Sequence, residues 1–463
     1  MALESRAALW SLQRLAGPIA AGISFLLAYI LAEFPFAAAW TLATTVWVAW
    51  WWINETVPLP VTALLPFVLL PLGSIISVNE ASAALGNPII VLFMGAFMLA
   101  KAVEMSGVHR RIALAMVRTI GGTDGKRMVF AFMLATAFIS MWISNTAAVL
   151  ALLPVALALA DCSNDKPFQL ALLLGLAYSA SVGGIATLVG TPPNLIFASV
   201  YETYTGTPFG FTRWLTIGLP LVIVSIPIMA WWLTRNITQQ VELTLTSEGS
   251  MRSSEYRVLT VFGTVIILWI TRTAPFGGWS DWFELTMVGD ATIALLGVLA
   301  LFAWHDQDRA PLLTWEAASS IPWGILLLFA GGIALAQGFI QSGLSDLLGQ
   351  AIANLQALPT WLLILIIAVG VSFLTEVTSN TATATLLMPV MAATAIALQL
   401  PLELLMIPAA IACSCAFCLP VATPPNSIVF ASNQLTVREM AREGMALNLI
   451  LAVITTIIVM LFV

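Results

Sequence analysis

The sequence predicts an all-α polytopic membrane protein of about eleven transmembrane helices plus two re-entrant hairpins, arranged as an inverted repeat. Three observations carry this. Of 463 residues, 60% are hydrophobic and only 9% are charged, against about a quarter charged in a soluble domain. Apolar stretches long enough to cross a bilayer recur from one end of the chain to the other. A short polar motif is written twice: Ser144-Asn145-Thr146-Ala147 precedes Pro154, and Ser379-Asn380-Thr381-Ala382 precedes Pro389 at the same spacing. The net charge of −6 forms no basic stripe for nucleic acid. Two histidines and four cysteines make no disulfide framework.

The spans fall in order at about 16–32, 36–53, 58–75, 88–106, 168–204, 214–234, 256–271, 289–304, 321–340, 402–433 and 444–463. The stretch beginning near Leu15 is followed by many others and by no small-residue cleavage site, so it reads as a first span. The stretches 168–204 and 402–433 are too long for one straight crossing. Each holds a Thr-Pro-Pro-Asn, at 191–194 and 423–426. Such a break removes backbone hydrogen bonds that lipid cannot replace, so it survives only where it lines a protein cavity. Each of these stretches is therefore read as two half-helices. The regions 127–160 and 357–396 carry the Ser-Asn-Thr motifs and are read as hairpins with both ends on one side.

Charge tests that reading. With two non-crossing hairpins and a cytoplasmic N-terminus, fifteen of the seventeen Lys and Arg fall inside, among them Lys101, Arg235 and Arg309. Only Arg213 and Arg272 fall outside. Making either hairpin a crossing scrambles this asymmetry. The expected location is a bacterial inner (plasma) membrane, with the C-terminus outside.

The duplication is wider than its motifs. Leu92 to Gly107 aligns without gaps on Leu328 to Gly343 at an offset of 236, which becomes 235 at Ser-Asn-Thr and 232 at Thr-Pro-Pro. The chain advances five spans between the two Ser-Gly helices, an odd number, so the second half is upside down. The hairpins then enter from opposite sides and their tips can meet near the midplane. Paired interruptions in two inverted halves point to the binding site of a secondary transporter. No Lys or Arg falls in either tip or either break. A dianion there must be neutralised by helix N-termini, by Ser, Asn and Thr donors, and by bound cations. Each ion lowers the cost of the other, so coupling to sodium is a physical expectation.

These residues resemble the divalent anion:sodium symporter family over essentially the whole chain. The resemblance includes Asn54-Glu55-Thr56-Val57-Pro58-Leu59-Pro60-Val61-Thr62-Ala63-Leu64-Leu65-Pro66, the run Ile321-Pro322-Trp323-Gly324-Ile325-Leu326-Leu327-Leu328-Phe329, both tips and both breaks. It implies an elevator-type transporter, no enzyme, whose partners are a dicarboxylate, Na+, membrane lipid and a second copy in a homodimer. Scaffold helices at 1–125 and 237–356 would stay still while a transport part, 126–236 with 357–463, moves across the membrane. By family pattern Ser140, Ser144, Asn145 and Gly190 hold one Na+, and Thr375, Ser379, Asn380 and Ala422 the other. The same pattern puts Asn145 and Thr146 on one substrate carboxylate and Asn380 and Thr381 on the other, with Thr423 and Pro424 bordering the pocket. Two symmetric donor sets favour a C4 dicarboxylate such as succinate, fumarate or malate over sulfate.

Other readings stay open at this point: sodium-independent dicarboxylate exchange, symport of sulfate or a tricarboxylate on the same fold, or an anion channel. A single Ser-Asn-Thr in a membrane helix is ordinarily a cap or an interhelical hydrogen bond; two copies at fixed spacing inside a whole-chain repeat are not. Glu376 has Met141 as its counterpart and stands outside the symmetric machinery, either as a functional acid or as a partner for a helix end or a neighbouring polar group. Cys413, Cys415 and Cys418 read as small apolar packing rather than a ligand set. His109 and His305 read as solvated loop residues, and the tryptophans, including Trp50, Trp51 and Trp52, as interfacial anchors.

Overall fold

The computed structural model describes residues 2–163, 165–237, 249–273, 276–307, 310–352 and 358–463. Arg309 and the expected start of the second hairpin at 357 lie outside the described residues. Helix α1 (Ala2–Leu26) runs into a π turn, Leu27–Leu31, and α2 (Phe36–Ile53) packs back along it. The expected span 58–75 is not one helix but two, α3 (Leu59–Thr62) and α4 (Leu65–Leu72). Pro60 and Pro66 each sit in a first helical turn there, where a missing N–H costs nothing, whereas in mid-helix each would break the ladder. A Ser77–Glu80 capping box starts α5 (Val78–Ala83). Helix α6 (Pro88–Ser106) then ends at Gly107, whose φ of 75° lets the chain turn sharply.

That turn feeds α7 (Val108–Gly121), an amphipathic helix absent from the predicted spans. Its apolar residues Val108, Ala113, Leu114 and Val117 are buried against the first hairpin, α8 (Gly125–Ser140) and α9 (Asn145–Cys162). The half then closes with α10 (Lys166–Gly183), α11 (Pro192–Thr205) and α12 (Phe211–Thr234). The second half repeats the order: α13 (Ser253–Thr271), α14 (Gly278–Trp282), α15 (Asp290–Ala303), α16 (Trp315–Ser319) and α17 (Trp323–Gln341). Gly343 (φ 71°) then turns the chain into α18 (Leu344–Ile352), the counterpart of α7. It packs on the second hairpin, α19 (Thr360–Thr375) and α20 (Asn380–Ala397), through α20. Helices α21 (Leu402–Cys413), α22 (Pro424–Phe430) and α23 (Val437–Phe462) complete it.

Among the described residues, ten helical stretches are long and apolar enough to cross a bilayer, and the chain is an integral membrane protein. Two of the ten, Asn145–Cys162 and Asn380–Ala397, are hairpin arms, while Asp290–Ala303 and Leu402–Cys413 are shorter apolar helices. The most enclosed element is α10, wrapped by α8, α9, α12 and α22. This explains how the breaks survive: Gly184, Ile185, Ala186 and Asn194 are fully sheltered by protein, as backbone without helical partners requires.

Two expectations fail. Trp52 is fully buried and its Nε1 donates to the Leu59 carbonyl at 3.1 Å, so it is a core residue that ties α2 to α3. Trp50, 39% exposed, keeps the exposure of an anchor. His109 is buried too, with Nδ1 3.2 Å from the Val103 carbonyl, and burial pushes its imidazole down from the usual range. The reason is that 108–121 is a helix laid on the hairpin instead of a loop. His305 is exposed as expected, and Cys413, Cys415 and Cys418 are buried in packed core.

Candidate functional site: two tips and two breaks around one cavity

Each tip is a helix end facing a helix start. Helix α8 stops at Ser140 and α9 begins at Asn145, with the Ser144 hydroxyl accepting from the Ala147 N–H at 3.2 Å. Helix α19 stops at Thr375 and α20 begins at Asn380, but Ser379 makes no side-chain cap. At the breaks, Pro192-Pro193 and Pro424-Pro425 occupy the first turns of α11 and α22, where no N–H is needed. The carbonyls released by each break are gathered by the motif's asparagine. Asn194 Nδ2 donates to Gly184 O at 3.2 Å and Thr187 O at 2.8 Å. Asn426 Nδ2 donates to Ala416 O and Leu419 O, both at 3.0 Å. These are corresponding atoms in the two halves. The asparagine is thus a staple for the loop, a role that only its fixed place after Pro-Pro could have suggested.

Tips and breaks converge on a cavity of about 750 Å³. Ser144, Asn145, Thr146 and Gly190 line it from the first half. Ser379, Asn380, Thr381, Ala422, Thr423 and Pro424 line it from the second. Ser140 and Thr375 do not reach it; both are fully buried behind the tips. Ser140 Oγ lies 2.7 Å from Asn145 Oδ1 and 2.6 Å from Ala180 O. Thr375 Oγ1 lies 2.7 Å from Asn380 Oδ1 and 3.3 Å from Cys413 O. A hydroxyl has one proton to give, so each cluster assembles three oxygens around a single hydrogen. Ala180 and Cys413 stand in the last turns of α10 and α21, whose C-terminal dipole ends are negative. Ala180 O also accepts the Gly184 N–H; buried, oxygen-rich half-helix ends of this kind suit a small cation.

The first cluster is the tighter. A Cβ on Gly190 would sit 2.4 Å from Gly184 O, and one on Gly184 would sit 2.9 Å from Asn145 Oδ1, so neither position admits a side chain. The second half carries Ala416 and Ala422 in their places. For an anion, the favourable features are the N-termini of α9, α20 and α11, whose first residues line the cavity. Each contributes roughly half a positive charge, and α9 and α20 also present first-turn N–H groups, which the Pro192-Pro193 start of α11 lacks.

Glu376 turns out to be a partner for backbone N–H groups in the unwound stretch between α21 and α22. Its Oε1 accepts from the Phe417 and Cys418 N–H groups at 2.7 and 2.8 Å and from Asn448 Nδ2 at 2.7 Å. Its Oε2 accepts from the Leu419 N–H at 3.1 Å. In the first half, where Met141 stands, Thr187 Oγ1 instead donates to the Met141 carbonyl at 2.6 Å. The cavity also has wall residues that motif reading missed: Glu55, Lys101 and Glu104. Tips and breaks carry no basic residue, yet α6 brings Lys101 to the same space. The available signal was its place in the repeat, opposite Gln337.

A family model described as citrate transporter matches residues 47–405. The chain belongs to this family. Sodium-dependent dicarboxylate transporter SdcS of Staphylococcus saprophyticus is 38% identical over 90% of this chain and 85% of its own length. The protein of that name in Staphylococcus aureus is 38% identical over 97% of this chain and 91% of its own. The resemblance to the divalent anion:sodium symporters is borne out with them. The fold is shared with the YdaH transporter of Alcanivorax borkumensis (TM-score 0.57, 14% identity, 82% of this chain and 85% of that one). It is also shared with MtrF of Neisseria gonorrhoeae (TM-score 0.57, 13% identity, 84% of each chain). Family and relatives are transporters, and the chain is no enzyme.

Proposed function

We propose that this protein is a sodium-coupled symporter of C4 dicarboxylates working by alternating access. The observation that carries the reading is the pair of oxygen clusters, built alike in the two halves with their carbonyls, Ala180 and Cys413, one residue out of register, flanking one cavity. The relatives' names, sodium-dependent dicarboxylate transporters, supply ion and substrate class. Na+ is cargo: one ion at Ser140, Ser144, Asn145 and Gly190, the other at Thr375, Ser379, Asn380 and Ala422. Asn145 with Thr146 takes one substrate carboxylate and Asn380 with Thr381 the other, while Thr423 and Pro424 form the wall between.

The two asparagines supply the coupling. Each turns Oδ1 toward the cluster behind it, which leaves Nδ2 to donate to substrate. A cation on Oδ1 orients the amide and polarises its N–H bonds, so each ion strengthens the binding of the other. Residues 126–236 and 357–463 form the moving part, and 1–125 and 237–356 the scaffold, in an inverted repeat that assembles as a homodimer. We place the protein in a bacterial inner membrane with the N-terminus cytoplasmic and the C-terminus outside. On that topology the cavity walls at Glu55, Lys101, Glu104 and Ser320 lie on the cytoplasmic side, making this an inward-open state. Uptake of labelled succinate into proteoliposomes tests the reading. Uptake should require an inward sodium gradient. Uptake that ignores sodium but needs internal dicarboxylate would make the protein an exchanger.

A further inference from the structure

We infer that Lys101 is an anion-docking residue that acts on one face of the membrane only, raising the affinity for dicarboxylate on the cytoplasmic side. Among the described residues that line the cavity, Lys101 is the one basic group; Glu55, Glu104 and Glu376 are the acidic ones. Glu376 commits its oxygens to three backbone N–H groups and Asn448. Lys101 Nζ lies 3.3 Å from Glu104 Oε1, one turn along α6, with side chains 31% and 43% exposed. An ion pair this open to water adds little stability, so a substrate carboxylate can replace Glu104 on the ammonium at small cost. An ammonium offers a full charge and three rotatable donors, which no tip or break supplies.

The one-sidedness comes from the repeat. Lys101 is carried by α6, outside both hairpins and both broken helices. Its counterpart on α17 is Gln337, which is neutral and whose Oε1 is buried without a hydrogen-bond partner. In an inverted repeat, the wall that α6 gives to one vestibule is given by α17 to the other. The α6 wall carries an ammonium beside a carboxylate, Lys101 and Glu104, where α17 carries the neutral Gln337 and Ile340, so the two vestibules differ in having a positive group and not in net charge. The excess of Lys and Arg on one side places Lys101 at the cytoplasm. An anion arriving from outside meets no such charge, whereas one arriving from or leaving to the cytoplasm does. Lys101 therefore slows release inward and favours the return of internal dicarboxylate.

This inference rests on the symport reading, and its test separates the two. Half-saturating succinate is measured from each face in proteoliposomes of uniform orientation, for the wild type and for Lys101→Gln, which copies the other half. The ratio of internal to external half-saturation should rise about two- to five-fold, and the change should shrink at high salt. Glu104→Gln, which frees the ammonium, should move the ratio the opposite way, and Lys101→Arg should restore it. A ratio unmoved by both Lys101→Gln and Glu104→Gln overturns the docking role. Sodium-independent uptake by the wild type would instead sink the symport reading and leave the ratio measurable.

Discussion

Ser140→Ala removes one of three oxygens that meet within 2.7 Å of one another's hydroxyl partner and share a single proton. Its effect should depend on whether a cation is present. Without sodium, the deletion removes the one hydroxyl that both Asn145 Oδ1 and Ala180 O approach, and Ala180 O keeps the Gly184 N–H. With sodium it deletes a ligand. Loss of one hydrogen-bond-like contact to a charge costs about 1.5–3 kcal/mol, roughly a 10- to 150-fold loss of sodium affinity. Ligand stabilisation makes this visible. At sodium a hundred times the dissociation constant, the wild type gains about 2.7 kcal/mol, whereas a site weakened about 30-fold gains about 0.9 kcal/mol at the same concentration. The assay is thermal unfolding of the purified protein across a sodium titration, with potassium holding ionic strength constant, alongside the sodium dependence of uptake. Thr375→Ala should act in the same direction but less strongly, because Thr375 Oγ1 is 3.3 Å from Cys413 O where Ser140 Oγ is 2.6 Å from Ala180 O. An unchanged sodium titration in both variants would refute the cation sites. Equal destabilisation with and without sodium would reduce Ser140 to an ordinary structural hydrogen bond.

Three further outcomes are expected. Asn145→Ala and Asn380→Ala should each abolish uptake while the protein still elutes at the wild-type position; normal transport by either would show that the tips are structural. Asn194→Leu or Asn426→Leu strands one buried carbonyl in the break, Gly184 O or Ala416 O, at about 1–3 kcal/mol, so both should unfold at lower temperature in detergent, and an unchanged midpoint would remove the staple role. Glu376→Ala leaves the Phe417, Cys418 and Leu419 N–H groups without their acceptor and should be far less stable than Glu376→Gln, which keeps an acceptor oxygen; equal melting of the two variants would mean those bonds carry no stability.

Much of the architecture was legible because lipid offers the backbone no partners. A span must be a long apolar helix, so length and composition located α2, α6, α12, α17 and α23. The breaks were legible for the same reason, since two prolines in a row announce a new first turn. The repeat exposed the tips, because nothing but a shared fold keeps an offset between 232 and 236 over so much chain. Amphipathic α7, with its three arginines, and α18, of only nine residues, do not register as spans, and only the packing of α7 on the first hairpin explains why His109 is buried. Trp52 likewise looks like its exposed neighbours until α3 folds over it.

The division runs through the site itself. The sequence alone determined which side chains sit at the tips, that they come as two matched sets, and that no basic residue stands among them. Tertiary structure alone decided what else meets them. Lys101 reaches the cavity from a separate helix. The carbonyls of Ala180 and Cys413 arrive from 40 and 38 residues away from their hydroxyl partners. Every residue has a carbonyl, so a carbonyl leaves no mark in a sequence; it becomes a ligand only where a helix ends against the right neighbour.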